Sequence, residues 1–305
     1  MSRNQKTRCT VIPCNHERET DMSKLNTNRE FASLGHSIGL VRIALGLVLL
    51  AGGWKLAFPG DPESLVASYT AADGWIASFF QEWIQDHIGA SVLVFLNTMG
   101  WIEMLVGLGL IVGFSTPWLA ALAGLLFLSF AMANPEVGMI RISMDVSMAG
   151  FAFALAYTGS GRWSLDQKTG WSSVELPYRK EWFLGTVRVS LLYAFVLAVL
   201  FPFGIGTNPL NDTLPWIIVL GLTIVFLSPW TARWAAGVVA VWMLVLILVS
   251  VATELQNQGA PGLYWGVDMA KRQIGFFGAC LAYFLTGPDR LALCPPGKNT
   301  PVREP

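Results

Sequence analysis

The stretch Gly161-Arg162-Trp163-Ser164-Leu165-Asp166 lies near the middle of this 305-residue chain. It follows a run with almost no charge, and a charged linker leads from it to Glu181. Four apolar segments that we interpret as membrane spans precede it, and four more follow. The stretch therefore divides the chain into two halves of similar layout.

The composition is that of a membrane protein. Hydrophobic residues make up 53% of the chain and charged residues only 13%, whereas soluble domains carry about 25% charged residues. Thirteen Trp and eighteen Phe suit aromatic belts at two membrane interfaces. The formal net charge is zero, so the chain lacks the basic field that attracts nucleic acid. We expect an all-α, polytopic membrane protein whose main partner is membrane lipid and which binds no nucleic acid.

Eight segments of suitable length and hydropathy predict about eight transmembrane helices. They cover approximately residues 37–58, 90–114, 119–133, 142–159, 182–203, 214–227, 233–251 and 271–285. The division that follows is a polar tail (1–36), a four-helix unit (37–166), a linker (167–181), a second, diverged four-helix unit (182–290) and a C-terminal tail (291–305). We expect the first tail to be disordered to about Asn28 and to hold no signal peptide, because no apolar core follows its basic residues.

An acidic loop, residues 59–88, separates the first two spans. Its aromatic and aliphatic side chains recur at helical spacing from Trp75 to Ile88. This pattern predicts a short helix lying on the membrane surface.

Three short matches recur in the same order in the two halves. They are Gly-Leu-Val-Arg-Ile at 39–43 with Gly-Thr-Val-Arg-Val at 185–189, Thr-Pro-Trp at 116–118 with Ser-Pro-Trp at 228–230, and Leu-Ala-Tyr at 155–157 with the same letters at 281–283. Repeats with an even number of spans have parallel topology. The second half has no match for Glu103, so we expect the first half to be the functional one.

The distribution of basic residues predicts the orientation. With the N-terminus in the cytoplasm, fourteen of the twenty Lys and Arg lie on the cytoplasmic side, and none lies between Lys55 and Arg141. The positive-inside rule then places both termini in the cytoplasm of a plasma (inner) membrane and the acidic loop outside.

Arg42 and Glu103 are charged residues inside the first two spans, and both are candidate catalytic residues because intramembrane charge is costly. Glu103 lies roughly 15 Å from the cytoplasmic face by helical rise, and Arg42 lies closer to that face. A long Arg side chain could reach toward Glu103. Such a pair would either lock two helices together or tune a carboxylate that handles protons or contacts quinone. Arg188 is the second-half equivalent of Arg42, and we expect it to extend to the cytoplasmic interface.

A second polar group lies at the outer ends of the first-half spans. It consists of Lys55, His87, Arg141 and Asp145, which we take as candidate substrate-binding residues for a small anion. The second half places Asp268, Lys271 and Arg272 at the same end. The alternative is that all of these residues are ordinary interfacial anchors.

Motifs for bound redox cofactors are missing from the sequence. His36 and His87 lie at opposite ends of the predicted bilayer and cannot form a haem pair, and Cys9, Cys14 and His16 lack a fourth metal ligand. The chain contains no GxGxxG, Walker A or HExxH motif. Redox chemistry would therefore need a diffusible cofactor, with quinone the suspected one, or a partner subunit.

Three stretches of the first half carry a family resemblance. They are VRIALGLVLLAGGWKL at 41–56, Glu103 ahead of GLGLIVGFST at 107–116, and GSGRWSLD at 159–166. Residues 37–166 thereby resemble the DoxX/DoxD family of small four-helix membrane proteins. The family includes the DoxD subunit of thiosulfate:quinone oxidoreductase, which couples two thiosulfates to tetrathionate and passes electrons to quinone with a small DoxA-type partner.

Three functions follow as expectations. The resemblance implies a membrane subunit of an oxidoreductase that acts on thiosulfate or a related sulfur anion. The diverged second half favours a non-catalytic subunit that anchors or assembles a larger membrane redox complex. Parallel repeats would also permit a small-anion transporter.

Overall fold

The computed structural model describes residues 16–70, 82, 83, 86, 91–133, 139–170, 178–200 and 216–287, and these ranges contain helices and no strand. Eleven helices are defined within them. They are α1 (His16–Ala57), α2 (Pro62–Thr70), α3 (Val92–Val112), α4 (Thr116–Ala133), α5 (Met139–Thr158), α6 (Leu165–Thr169), α7 (Tyr178–Leu200), α8 (Trp216–Leu227), α9 (Pro229–Gln258), α10 (Gly262–Met269) and α11 (Lys271–Thr286). The predicted all-α fold is confirmed.

Four of these helices contain segments long and apolar enough to cross a membrane. They are Leu34–Ala57, Val92–Val112, Glu181–Leu200 and Thr231–Gln258. They correspond to the first, second, fifth and seventh predicted spans, so the membrane character of the chain is confirmed. The other four predicted spans coincide with α4, α5, α8 and α11, and their crossing of the membrane stays a prediction.

Two features of the helix pattern differ from expectation. Helix α1 begins at His16, although the sequence suggested disorder to about Asn28. The polar residues of α1 that precede its apolar part, which starts at Leu34, include many helix formers. They extend an existing helix, so the cost of starting a new one does not arise. Helix α10 was not predicted. The surface helix predicted from Trp75 to Ile88 lies mostly outside the described residues.

Glycines set the distance between α1 and α3. Gly46 faces Gly107 and Gly53 faces Gly100, so the two helices run antiparallel. A Cβ atom built on Gly53 would lie 2.5 Å from the Gly100 carbonyl oxygen, and one on Gly107 would lie 2.6 Å from that of Gly46. The seven-residue spacing keeps each pair of glycines on one face of its helix. The backbones therefore touch, as small residues permit in membrane helix pairs.

The two halves of the chain pack against each other mainly through two helix pairs, α1 with α11 and α5 with α7. In the first pair Gly278 lies directly on Ala44. In the second, the Ser147 hydroxyl donates a hydrogen bond of 2.7 Å to the Ser190 carbonyl. This arrangement places the N-terminal end of α11, which belongs to the second half, beside the α1–α3 crossing.

Candidate functional site

Arg42 is completely buried in α1, and its guanidinium binds backbone carbonyl oxygens. One terminal nitrogen donates to Leu110 at 2.6 Å and to Ile111 at 3.0 Å, at the C-terminal end of α3. The other donates to Trp163 at 3.0 Å and to Arg162 at 3.4 Å. The last carbonyls of a helix lack partners within that helix and attract positive charge. Arg42 therefore caps α3 and attaches it to the loop that follows α5.

Asp166 caps the N-terminal end of α4, where the free backbone groups are N–H donors. Its carboxylate, which is buried, accepts hydrogen bonds from the backbone N–H groups of Ser115 at 2.7 Å and Thr116 at 2.8 Å. Its own N–H donates to the Gly113 carbonyl at 3.0 Å, and its charge acts on Arg42. A buried cation and a buried anion thus hold the turn between α3 and α4 from two sides.

The loop between these groups fits into a shallow groove on α1. Arg162 donates its backbone N–H to the Gly35 carbonyl at 2.8 Å. The Trp163 ring lies against Gly39, where a Cβ atom would come within 3.3 Å of it. Gly161 and Trp163 both have positive φ, 65° and 62°. This backbone conformation is strained for the tryptophan, so the packing around Trp163 must offset the strain. We call Arg42, the turn at 113–116 and residues 161–166 the Arg42 junction.

Glu103 lies elsewhere, deep in the α1–α3 crossing. Its side chain is 3% exposed, and its Oε2 occupies space left by Gly52, where a Cβ atom would lie 3.1 Å away. Its Oε1 has no hydrogen-bond partner among the described residues. The carbonyls that Arg42 binds are seven and eight residues further along α3, about 10 Å by helical rise. The structure therefore does not form the Arg42–Glu103 pair that the sequence suggested.

The cation that acts on Glu103 is Lys271, at the start of α11. Lys271 also donates to one oxygen of the buried Asp268 at 2.7 Å, and Lys55 of α1 lies 3.5 Å from the other oxygen. Two lysines from different halves of the chain thus share one carboxylate. We call Glu103, Lys55, Tyr264, Asp268 and Lys271 the Glu103 cluster.

Helix α10 supplies two members of this cluster. Gly262 and Gly266 seat it directly on the backbone of α9, at Glu254 and Val251. Tyr264 and Asp268 are four residues apart and therefore share a face. The Tyr264 ring lies 6.3 Å from that of Trp54 in α1.

The Tyr264 hydroxyl is buried without a hydrogen-bond partner among the described residues. Burial, and then the negative charge of Asp268, raise the pKa of Tyr264 to about 12. The phenol therefore stays protonated at neutral pH and is available as a hydrogen-bond donor.

A row of aromatic rings borders the cluster. The ring centroids of Trp54 and Phe58 are 4.7 Å apart, and those of Phe58 and Trp101 are 5.2 Å apart. Each of these side chains is nearly half exposed. The row presents flat apolar surfaces, and its Trp54 ring lies beside that of Tyr264 in the cluster.

The remaining predicted substrate-binding residues are placed only in part. Asp145 forms an ion pair with Arg272, with 3.2 Å between Oδ1 and Nε. Arg141 lies in α5, but its side chain, like His87, is outside the described part of the structure. Among the side chains that are described at this end, Lys55, Lys271 and Arg272 each have a carboxylate partner.

Arg188 is 7% exposed and donates to the Leu227 carbonyl at 3.4 Å, and its position relative to the membrane interface stays a prediction. It caps the C-terminal end of α8 as Arg42 caps α3. The sequence carried a signal for this role, since both arginines occupy the same place in the repeated Val-Arg motif. The backbone carbonyls that these arginines bind, however, cannot be identified from the sequence, because every residue has one.

Within the described residues, no three His, Cys, Asp or Glu side chains lie close enough to hold a metal ion. Comparison of the chain with protein-family models, with curated proteins and with solved structures gives no match. The functional argument therefore depends on the geometry of the Glu103 cluster.

Proposed function

We propose that this chain is an integral membrane subunit of an oxidoreductase that transfers electrons from thiosulfate, or a related sulfur anion, to quinone. The observation that carries the proposal is Glu103, a buried carboxylate within a membrane span with one oxygen unpartnered among the described residues. A charged group in such a place is costly and is typically retained for function. A buried polar atom without a partner also requires an explanation, and proton transfer to a ligand provides one.

The chemistry expected of such an enzyme defines what Glu103 would do. Oxidation of two thiosulfate ions to one tetrathionate releases two electrons, and quinone takes up these electrons with two protons to become quinol. Glu103 would deliver a proton at a quinone oxygen. The Tyr264 hydroxyl is a neutral donor nearby, and Trp54 and Trp101 offer flat faces for the ring. The residues present therefore suit a quinone headgroup.

The site for the sulfur anion is less complete in this chain. Arg141, Lys55 and His87 are the proposed contacts, with Asp145 orienting them. However, Lys55 already has Asp268 as a partner, which it shares with Lys271. This pairing supports a small DoxA-type partner subunit that contributes part of the anion site at the outer face.

The same proposal includes an architecture of eight spans in two parallel four-helix units, residues 37–166 and 182–290, with both termini in the cytoplasm of the plasma membrane. Two observations support it. Arg42 and Arg188 cap equivalent helices, and the contacts between the units, α1 with α11 and α5 with α7, are related by exchange of the units.

Glu103→Gln should lower thiosulfate-dependent reduction of a soluble quinone analogue by about 100-fold or more, because general acid–base groups contribute about 10²–10⁴-fold. Glutamine keeps the size of the side chain but cannot transfer a proton. The assay uses membranes with and without the protein, normalised to folded protein. Unchanged quinone reduction by the variant would rule out this role for Glu103.

A matched experiment tests the anion site. Arg141→Ala should raise the KM for thiosulfate while leaving the KM for the quinone analogue unchanged, since the two sites are distinct. A protein whose presence in membranes produces no activity at all would contradict the proposed enzyme and favour the alternative below.

The alternative is a non-catalytic subunit that anchors or assembles a larger redox complex. It is favoured by the structural use of charge in this chain, because Arg42 and Arg188 act as helix caps and Arg272 is paired with Asp145. Co-purification with a larger complex, with no intrinsic activity, would support this alternative.

A further inference from the structure

We propose that Arg162 and Trp163 bind the headgroup of an anionic phospholipid whose acyl chains lie along the exposed side of α1. These two residues are the exposed part of the Arg42 junction, and the proposed function gives their side chains no role. The inference does not depend on the proposed enzyme activity, because it concerns the end of α1 that is remote from Glu103.

Arg162 is an exposed cation with no acidic partner among the described residues. Its guanidinium has one polar contact with them, at 3.5 Å from the Nε2 atom of His36. By contrast, Lys55, Lys271 and Arg272 at the other end of the bundle each lie beside a carboxylate. A guanidinium presents five N–H donors in a fork that fits two oxygens of one phosphate group. Arg162 therefore offers the donors that a phosphate group needs.

The position of Arg162 along α1 matches the depth of a lipid headgroup. Its backbone N–H donates to the Gly35 carbonyl at 2.8 Å, and Gly35 is the second residue of the span Leu34–Ala57. The end of a membrane span lies at the level of the lipid phosphates. Basic residues at this level bind anionic headgroups, and tryptophan is enriched there. Trp163, which is 58% exposed, adds such a ring beside the cation.

The loop fixes both side chains against α1. The backbone carbonyls of Arg162 and Trp163 accept hydrogen bonds from the buried Arg42. The Trp163 ring makes an edge contact with the His36 ring, with 4.8 Å between the centroids. Trp163 also has the strained φ of 62°, and strain of this kind is concentrated where function needs a side chain in one place. The guanidinium and the indole are thus presented together on one side of α1.

The same side of α1 provides a path for the acyl chains. Residues that recur every three or four positions along it are at least partly exposed, and they are His36, Leu40, Ile43, Leu47 and Leu50.

This stripe lies between two neighbouring helices. Gly46 contacts α3 on one side of it, and Ala44 contacts α11 on the other, so at 3.6 residues per turn Ile43 and Leu47 face the gap between α3 and α11. From His36 to Leu47 the helical rise is about 17 Å, roughly half of a hydrocarbon core of about 30 Å. The stripe is therefore as long as the acyl chains of one leaflet.

The charges at this end favour an anionic lipid over a zwitterionic one. A choline or ethanolamine group would bring a second cation close to Arg162. The nearest carboxylate in the loop, that of Asp166, is buried and accepts hydrogen bonds from the backbone of Ser115 and Thr116. A headgroup with net negative charge, such as that of phosphatidylglycerol, needs no such partner.

The test compares two lipids with the same acyl chains, phosphatidylglycerol and phosphatidylcholine, added to the full-length protein in detergent. Native mass spectrometry measures the affinity for single lipid molecules, and thermal unfolding measures the stabilisation that binding to the folded state produces. Phosphatidylglycerol should bind more tightly and raise the unfolding temperature more. Arg162→Gln should weaken phosphatidylglycerol binding by about tenfold or more, equivalent to roughly 1.4 kcal/mol, and leave phosphatidylcholine binding unchanged.

Two controls make the result interpretable. Arg162→Gln should fold, because the hydrogen bonds by which this residue holds the loop use its backbone N–H and carbonyl groups. Lys168→Gln removes an exposed positive charge from α6, the next helix along the chain, and should leave the phosphatidylglycerol affinity unchanged. This variant separates a site at Arg162 from a general effect of surface charge.

Three results would overturn the proposal. One is equal affinity of the unaltered protein for the two lipids. Another is a phosphatidylglycerol affinity that Arg162→Gln and Lys168→Gln lower to the same extent or that neither lowers. The third is equal stabilisation by inorganic phosphate alone, which would assign Arg162 to a soluble anion instead of a lipid. None of these measurements involves quinone or thiosulfate, so the lipid site and the proposed enzyme can fail separately.

Discussion

Replacement of Arg42 by Met should lower the free energy of unfolding by about 3–5 kcal/mol, the range for breaking a buried charged interaction from one side. Met fills a similar volume but donates no hydrogen bonds. The carbonyls of Leu110, Ile111 and Trp163 would lose their donor, the first in a buried position and the other two in partly buried ones. Asp166 would at the same time lose the nearby positive charge. Against a free energy of unfolding of about 5–15 kcal/mol for an ordinary protein, this loss is a large fraction of the total stability.

The measurement is the thermal unfolding of the detergent-solubilised protein, followed by the fraction that stays monodisperse on size-exclusion chromatography. Arg188→Met provides a matched control in the second half. The Arg188 hydrogen bond to Leu227 is longer, 3.4 Å, so this bond contributes less to the stability lost in the control. Equal and small effects in both variants would show that the Arg42 junction does not stabilise the fold.

Replacement of Gly53 by Ala should destabilise the protein by about 1–3 kcal/mol or more, the usual cost of overpacking. The added methyl group would lie 2.5 Å from the Gly100 carbonyl oxygen and 2.8 Å from the backbone nitrogen of Met104. Both are backbone atoms of α3 that cannot rotate away. The helices must separate, and Glu103 would lose its position against α1.

The same substitution at Gly221 serves as its control. This glycine lies in α8 with no atom within 4 Å of an added Cβ, and alanine favours a helix over glycine by about 0.8–1.0 kcal/mol. Gly221→Ala should therefore raise the unfolding temperature slightly, while Gly53→Ala lowers it. Thermal unfolding measured in one detergent compares the two directly, and tolerance of alanine at Gly53 would contradict the close helix crossing.

Hydropathy was sufficient to predict the long helices. The predicted spans at 37–58 and 182–203 match Leu34–Ala57 and Glu181–Leu200 within a few residues, because burial in lipid requires an uninterrupted apolar run. The start of α1 at His16 was missed, since a polar helix continued from an apolar one leaves no hydrophobic pattern. Helix α10 was missed because it is short. Its packing on α9 depends on Gly262 and Gly266, which resemble loop glycines in sequence.

Four residues of the Glu103 cluster were singled out from the sequence, but Tyr264 and the connections between the residues were not. Glu103 was identified because a carboxylate in an apolar run is conspicuous. Its neighbours Lys271 and Asp268 are more than 160 residues away, and they approach it only because α11 packs on α1. The partners of Arg42 are backbone carbonyls, which every residue possesses, so no side chain in the sequence could indicate them.

The Arg42 junction also imposes an order on synthesis. Arg42 precedes its acceptors in α3 by 68 and 69 residues and those in the loop after α5 by 120 and 121. At about 5–20 residues per second, translation of the intervening chain takes roughly 6–24 s. Until α3 has been made, the guanidinium has none of these acceptors and can stay hydrated at the membrane surface. The arrival of residues 162 and 163 supplies its last two acceptors, so a nascent chain that stops short of them leaves Arg42 with only half of its hydrogen bonds.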